Sequence, residues 1–361
     1  MTGDPPRQSA PDPAPDVAWC HDAVQDVSRT FALTVESLEE PMSTHICLGY
    51  LLCRIPDTIE DAGHIPPENG AELLREYARA IDPERDGSVA AFREAVEPWL
   101  PPEGERSDDW RVVGSVSRVY ATFETLPREV RTAIRPPVIE LVEGMAMFVE
   151  EHAETDGLRI DTRAELEEYC HYAAGTVGTL ITNLLTREGL PEDRKRVLYE
   201  TAESFGLLLQ LVNIAKDVHD DYTEEHNVYL PASWLTDEGV PQDAVVEENH
   251  REAVAAVVDR TAAHARSFLD EAERYLQAMP LRHGNTLAAW GVPFLLAVGT
   301  LRELTDSPTN ALTERDLKVS REEVFAVVEA MHGADREAIS EFRSIIAREP
   351  FHLAAPKPQS D

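Results

Sequence analysis

Lysine is nearly missing from this chain: among 361 residues only Lys195, Lys216, Lys318 and Lys357 are lysines, and all basic residues number 33 against 67 acidic ones. The formal charge of −34 is spread along the whole length. Nucleic-acid binding, which needs a basic footprint, is thereby excluded. Self-repulsion at that charge disfavours a compact fold at low ionic strength, and salt at ~1 M shortens the screening length to roughly 3 Å and lifts most of the penalty. The composition points to a salt-adapted cytoplasm of the kind found in halophilic archaea; a merely acidic mesophilic protein is the alternative. Cysteine is also scarce. Cys20, Cys47, Cys53 and Cys170 lack metal-ligand or disulfide spacing, which suggests a reduced compartment and core packing. With 18 glycines and 25 prolines the chain is neither fibrous nor of low complexity. No apolar run is long enough for a confident membrane span: Thr286 to Leu301 is short, contains Pro293 and reads as a buried core helix. No signal peptide is expected, because residues 1–15 are rich in Pro and read as a disordered tail. No Gly-rich dinucleotide fingerprint and no zinc-spaced histidine pair occurs.

What is present is apolar periodicity of helical type, with 43% apolar residues and almost no strand signal. Helices are expected near 17–36, 43–62, 69–81, 87–99, 109–123, 126–153, 163–187, 191–221, 249–278, 285–304 and 320–345, broken by Pro, Gly and Asp. No linker is long enough to separate domains and no repeat appears. The expectation is all-α: a single helical domain over 16–347, followed by a flexible C-terminal tail over 348–361.

Two segments carry chemistry, GYLLCRIPDTIED (Gly49–Asp61) and LLLQLVNIAKDVHDD (Leu207–Asp221). Each is an apolar run that ends in acids four residues apart, Asp57/Asp61 and Asp217/Asp221, which places each pair on one helix face. In so acidic a chain chance supplies on the order of a dozen such pairs, mostly on solvated faces. The setting distinguishes these two. Like charges at this spacing repel, and an apolar helix makes ionisation costly. A divalent cation resolves the conflict, since magnesium takes one or two carboxylates plus substrate phosphates. A plain acidic helix end is the competing reading for each. Arg54, set among Leu51, Leu52 and Ile55, calls for an anionic partner.

At these residues the sequence resembles the squalene/phytoene synthase family, from about Val27 to Val324. SRTFALTVESL (Ser28–Leu38) is similar to the family's opening motif, the two acidic segments to its aspartate motifs, and YCHYAAGTVG (Tyr169–Gly178) to its central motif. WGVPFLLAVGTL (Trp290–Leu301) and His171 resemble the squalene-forming branch. The resemblance implies an all-α isoprenoid synthase bundle around a central apolar cavity. It implies head-to-head condensation of two farnesyl diphosphates through presqualene diphosphate, with Mg²⁺ and NADPH, to squalene. Asp57, Asp61, Asp217 and Asp221 would coordinate Mg²⁺, Arg54 would contact a diphosphate or the nicotinamide cofactor, and Lys216 would act on diphosphate. Tyr169 would take part in proton removal. Phe31, Tyr50, Gln210 and Asn227 would contact substrate, while Asn213 and Lys318 (in LKVSR, Leu317–Arg321) would serve the cofactor.

The sequence departs from the family at several positions. Lys216 and Asn227 stand where arginines are usual, Pro56 before Asp57 should kink its helix, and Ala62 replaces a frequent aspartate. His171 and His219 read as structural, Gly175 and Gly178 as packing residues, and solvated faces suffice for Glu60 and Asp220. Two rivals stay open: a phytoene or dehydrosqualene synthase without reduction, and a non-catalytic paralogue that binds lipid or protein. Peripheral membrane contact is compatible with a lipid product, and no membrane anchor is expected in PFHLAAPKPQSD. The charge pattern makes one prediction. The melting temperature should climb as KCl is raised from ~0.1 M to ~1 M, and an unchanged melting curve would remove the salt-adapted reading.

Overall fold

Ser28 divides the first periodic stretch into two helices, α1 (Val17–Val27) and α2 (Arg29–Glu36). Its backbone turns extended and its hydroxyl accepts the Phe31 backbone N–H at 3.2 Å, an N-cap that restarts the helix in a new direction. The computed structural model describes residues 14–354 apart from 188, 282–284 and 314–316, and apart from the side chains of Arg29 and Thr30. Most of the expected tail over 1–15 and the end of the tail over 348–361 therefore lie outside the described residues.

The chain continues through α3 (Met42–Glu60), α4 (Pro67–Ile81), α5 (Val89–Val96), α6 (Asp108–Gly114), α7 (Val116–Glu124) and α8 (Arg128–Glu151). Next come α9 (Arg163–Cys170), α10 (Thr176–Thr186), α11 (Glu192–Lys216), α12 (Val218–Glu224) and α13 (Ala232–Asp237). The last are α14 (Arg251–Arg266), α15 (Leu269–Ala278), α16 (Thr286–Asp306), α17 (Arg321–Met331), α18 (Ala338–Ile346) and α19 (Phe351–Ala354). Several long expected helices are thus pairs, broken at Ser115, Asp217 and Ser267. The apolar face carries on across each short break, so periodicity does not register it. Between α9 and α10 the helix widens into a π-turn, His171–Gly175. It lodges against α11, where a side chain at Gly206 would collide with the Ala174 carbonyl at 2.4 Å and one at Gly178 with that of Ala202 at 2.5 Å. The packing role expected for Gly178 is what the structure shows.

α3 packs on α1, α4, α6, α7 and α8, and α11 packs on α10, α14, α15 and α16. The π-turn touches α8, α9, α10 and α11 and ties these groups together. One continuous apolar core results. α16 is long and apolar enough to cross a membrane, but 83% of its most apolar window is buried. It is the core helix that Pro293 and its modest length suggest.

Prolines inside helices leave a carbonyl four residues back without its N–H donor. Three of these carbonyls receive a side chain from another helix. Pro56 frees the Leu52 carbonyl, which accepts the Tyr77 hydroxyl of α4 at 2.9 Å. Pro137 frees that of Ala133, which accepts the Asn183 amide of α10 at 3.1 Å. Pro293 frees that of Ala289, which accepts the Thr34 hydroxyl of α2 at 2.9 Å. The kink expected at Pro56 does not end the helix, because α3 runs on to Glu60 with this carbonyl satisfied.

The C-terminal helices are tied down by a buried ion pair. Arg302 donates to Glu323 at 2.9 and 2.8 Å and to the Ile346 carbonyl at 2.8 Å. Glu323 also accepts the Phe351 backbone N–H at 3.0 Å. The tail expected from 348 meets α19 here, with Phe351 buried against the bundle. A falsifiable consequence concerns Tyr77, which is fully buried. Tyr77→Phe leaves the Leu52 carbonyl unsatisfied and is expected to lower stability by ~1–3 kcal/mol in urea unfolding. A loss near zero would mean that the proline defect in α3 is harmless.

Candidate active site

α3 is buried through Leu48, Leu51, Leu52, Ile55 and Ile59, and its last turn carries Asp57, Glu60 and Asp61. α11 repeats the plan with Leu207, Leu208, Leu211 and Ile214. Asp217 then steps out of helical geometry and α12 resumes at Val218. The Asp221 N–H still returns to the Asp217 carbonyl at 2.9 Å, so the pair stays one turn apart across the break. Glu225 lies one turn further on.

The electrostatics bring the two acidic ends together. Burial, then the charges of Asp57 and Glu225, push both Glu60 and Asp61 well above the usual carboxylate range. Burial, then Glu225 and Asp217, do the same to Asp221. Glu225 is raised to about 7, mainly by burial, with Asp57 adding to it and a hydrogen bond from Asn227 opposing it. These repulsions run between α3 and the α12 end, so the two motifs face each other. Asp57 and Asp217 are raised by burial too, with Arg54 and Lys216 as their main counterweights. Both oxygens of Glu60 are buried without a hydrogen bond. A solvated face therefore does not account for Glu60.

Among the described residues no three Asp, Glu, His or Cys side chains converge into a ready metal cage. The donor set is nevertheless carboxylate oxygen, crowded and undercompensated. That suits magnesium, which completes its shell with phosphate and water oxygens.

Arg54 ion-pairs with Asp57 and donates from Nε to Asp109 at 2.7 Å. Burial works against its charge, yet these acids raise its pKa overall. Lys216 ion-pairs with Asp217, and Lys318 also acts on Asp217, so Lys318 lies beside the second motif. Gln210 and Asn213 are on α11 within two turns of Asp217. Phe31 and Tyr50 stack with centroids 4.1 Å apart, and Trp290 stands 6.4 Å from Phe31. Tyr169 is buried and donates to the Tyr229 hydroxyl at 3.1 Å. His171 lies between Glu203 and Glu140, at 3.0 and 3.3 Å, and bridges α11 to α8, in keeping with a structural role. Asn227 lies beside Glu225 and Tyr229. It is buried, its carbonyl accepts the Leu158 N–H at 2.8 Å, and its amide donates to Glu225 and Tyr229. It builds the loop where Leu158 and Val228 pair, close to Gly157, whose positive φ of 84° admits no side chain against the His226 carbonyl.

Sequence reasoning missed Asp109, Glu225 and Tyr229. Glu225 continues the spacing of Asp217 and Asp221 by four more residues, a signal that was readable. Asp109 reaches the site from an element whose local pattern is unremarkable, whereas Tyr229 stands in the segment Asn227–Pro231, which resembles the family's stretch after the second acidic motif.

A family model described as squalene/phytoene synthase matches residues 24–323. The squalene synthase of Schizosaccharomyces pombe is 22% identical over 339 residues, which are 94% of this chain and 69% of that protein. The probable squalene synthase of Neurospora crassa is 26% identical over 303 residues, 84% of this chain but only 59% of that protein's length. The solved complex of TcSQS with the ligand E5700 superposes with a TM-score of 0.75 at 22% identity, covering 94% of this chain and 92% of the other; at that identity it speaks to the fold.

The acid cluster sets a pH dependence. Glu225 has its folded pKa raised to about 7 from an ordinary 4.5. Protonation therefore favours the fold: this contribution is full below about 4.5 and lost as pH rises through about 7. In metal-free buffer Glu225→Gln should gain stability relative to the parent between about pH 5 and pH 8, read as the shift in urea midpoint. A difference that stays constant with pH would show that the glutamate is not strained.

Proposed function

This chain belongs to the squalene/phytoene synthase family, and from that premise we propose that it condenses two farnesyl diphosphates to presqualene diphosphate and reduces this to squalene. The observation that carries the reading is the pair of facing acidic helix ends, with Tyr169 acted on by Glu60 and Asp61 between them.

Asp57 and Asp61 on one side and Asp217 and Asp221 on the other would hold Mg²⁺ against the two diphosphates. When bound, magnesium supplies Lewis-acid stabilisation of the departing diphosphate and NADPH a hydride for the reductive half. Arg54 and Lys216 keep positive charge at the mouth and would move from their carboxylate partners onto phosphate oxygens. The Tyr169 phenol, held among buried groups, would take part in removing a proton as the cyclopropane forms. The apolar flanks of α3, α11 and α16 exclude water, which would otherwise trap the allylic cation as an alcohol. Lys318 and Asn213 would receive the reductant. Placement in a salt-rich cytoplasm, with peripheral contact to the membrane that takes up the product, completes the reading.

The test is incubation of the purified chain with farnesyl diphosphate and Mg²⁺ in high salt, with and without NADPH, followed by lipid analysis. Squalene that depends on NADPH is expected, and Asp57→Asn or Asp217→Asn should reduce turnover at least ~100-fold. Dehydrosqualene, or product from geranylgeranyl diphosphate alone, would place the chain in the non-reducing branch. No turnover of either substrate at any salt concentration would leave the non-catalytic paralogue.

A further inference from the structure

Tyr229 lies in the second acidic region without a role in the reading above, and its surroundings are unusually determinate. The side chain is 6% exposed, its ring packs 4.8 Å from that of Tyr169, and its hydroxyl accepts hydrogen bonds from Tyr169 and from the Asn227 amide, both at 3.1 Å. The amide's orientation is not arbitrary. Asn227 Oδ1 accepts the Leu158 backbone N–H at 2.8 Å, so Nδ2 must be the atom that faces Tyr229.

A phenol oxygen offers one O–H and two lone pairs. Asn227 can only donate from Nδ2 and so occupies one lone pair of Tyr229. Glu60, Asp61, Glu225 and Asp221 all act on Tyr229 and present only acceptors when ionised. The hydrogen bond between the two hydroxyls runs from Tyr169 to Tyr229 at 3.1 Å, so the second Tyr229 lone pair receives the Tyr169 proton and the Tyr229 proton is left for a further acceptor. Tyr169 is the donor, and both of its own lone pairs stay free.

We propose that Tyr229 is a positioning residue for Tyr169: as a Tyr169 lone pair takes the proton from the reacting carbon, the Tyr169 phenolic proton passes along its hydrogen bond to the Tyr229 oxygen, and the Tyr229 proton passes to a neighbouring carboxylate, so that both tyrosines end as neutral phenols. Asn227 takes part by fixing Tyr229 from the other side, which gives its buried amide a purpose beyond the loop. This inference rests on the proposed prenyl-diphosphate condensation, in which Tyr169 accepts a proton.

The substitution that isolates the hydroxyl is Tyr229→Phe, which retains the ring that packs on Tyr169. It is compared with Tyr169→Phe and the double variant in assays of presqualene diphosphate formation from farnesyl diphosphate with Mg²⁺. The expected result is a fall in kcat of ~10- to 100-fold for Tyr229→Phe with KM changed less than about twofold, since only proton acceptance is affected. Because Tyr229 acts through Tyr169, adding Tyr229→Phe to Tyr169→Phe should produce no further loss. A Tyr229→Phe enzyme as fast as the parent, a change confined to KM, or losses that multiply in the double variant would each overturn the proposal. Thermal melts of all variants separate a folding defect from a catalytic one: a fall in rate that follows the melting temperature, and is recovered by assaying well below it, also counts against the proposal. Inactivity of the unsubstituted chain would overturn the condensation itself, an outcome distinct from an active parent with an unaffected variant.

Discussion

Carboxylates that repel one another at the ends of two apolar helices are the constraint around which this molecule is arranged. Asp57, Glu60 and Asp61 on α3 meet Asp217, Asp221 and Glu225 beyond α11, and burial raises every one of them. The chain supplies few cations in response. Arg54 and Lys216 each neutralise one acid of their own motif, and Lys318 assists Asp217. Among the described residues the remaining acids have no such counterweight, and crowded carboxylate oxygens of this kind suit a hard divalent cation.

Holding such a cluster requires rigid supports, and the bundle obtains them in part by satisfying its own defects. Pro56, Pro137 and Pro293 each remove a helical hydrogen bond, and Tyr77, Asn183 and Thr34 fill the freed carbonyls from neighbouring helices. Every one of these bonds crosses between helices, so a local backbone fault becomes a tertiary contact that fixes one helix against another. The contact from Tyr77 lies one turn before Asp57 and anchors the first acidic motif. Gly178 and Gly206 contribute differently, by admitting the π-turn close to α11 and so setting the height of Tyr169, two residues before it.

Much of the fold was legible because apolar periodicity persists over long stretches, and the elements it indicates around 43–62, 126–153 and 285–304 are α3, α8 and α16 with small shifts at their ends. The breaks at Ser115, Asp217 and Ser267 were not legible, since a helix that restarts after one or two residues can keep the same face buried. The two acidic pairs stood out by their apolar setting. Glu60 did not, because an acid at the end of a helix looks the same in sequence whether its oxygens meet water or a neighbouring motif. Asn227 was read through its place in a motif, and the structure gives its amide to Leu158, Glu225 and Tyr229.

The sequence by itself determined the helical class, the family, the charge regime and the acids at the ends of α3 and α11, because each of these is written in local periodicity, composition or contiguous motif. Tertiary structure alone decided that Asp109 grips Arg54, that Glu225 joins the acid cluster, that Arg302 and Glu323 fasten the C-terminal helices, and which tyrosine donates to which. Hydrogen-bond direction and mutual repulsion depend on distances between residues far apart in the chain, and only the packed bundle sets those distances.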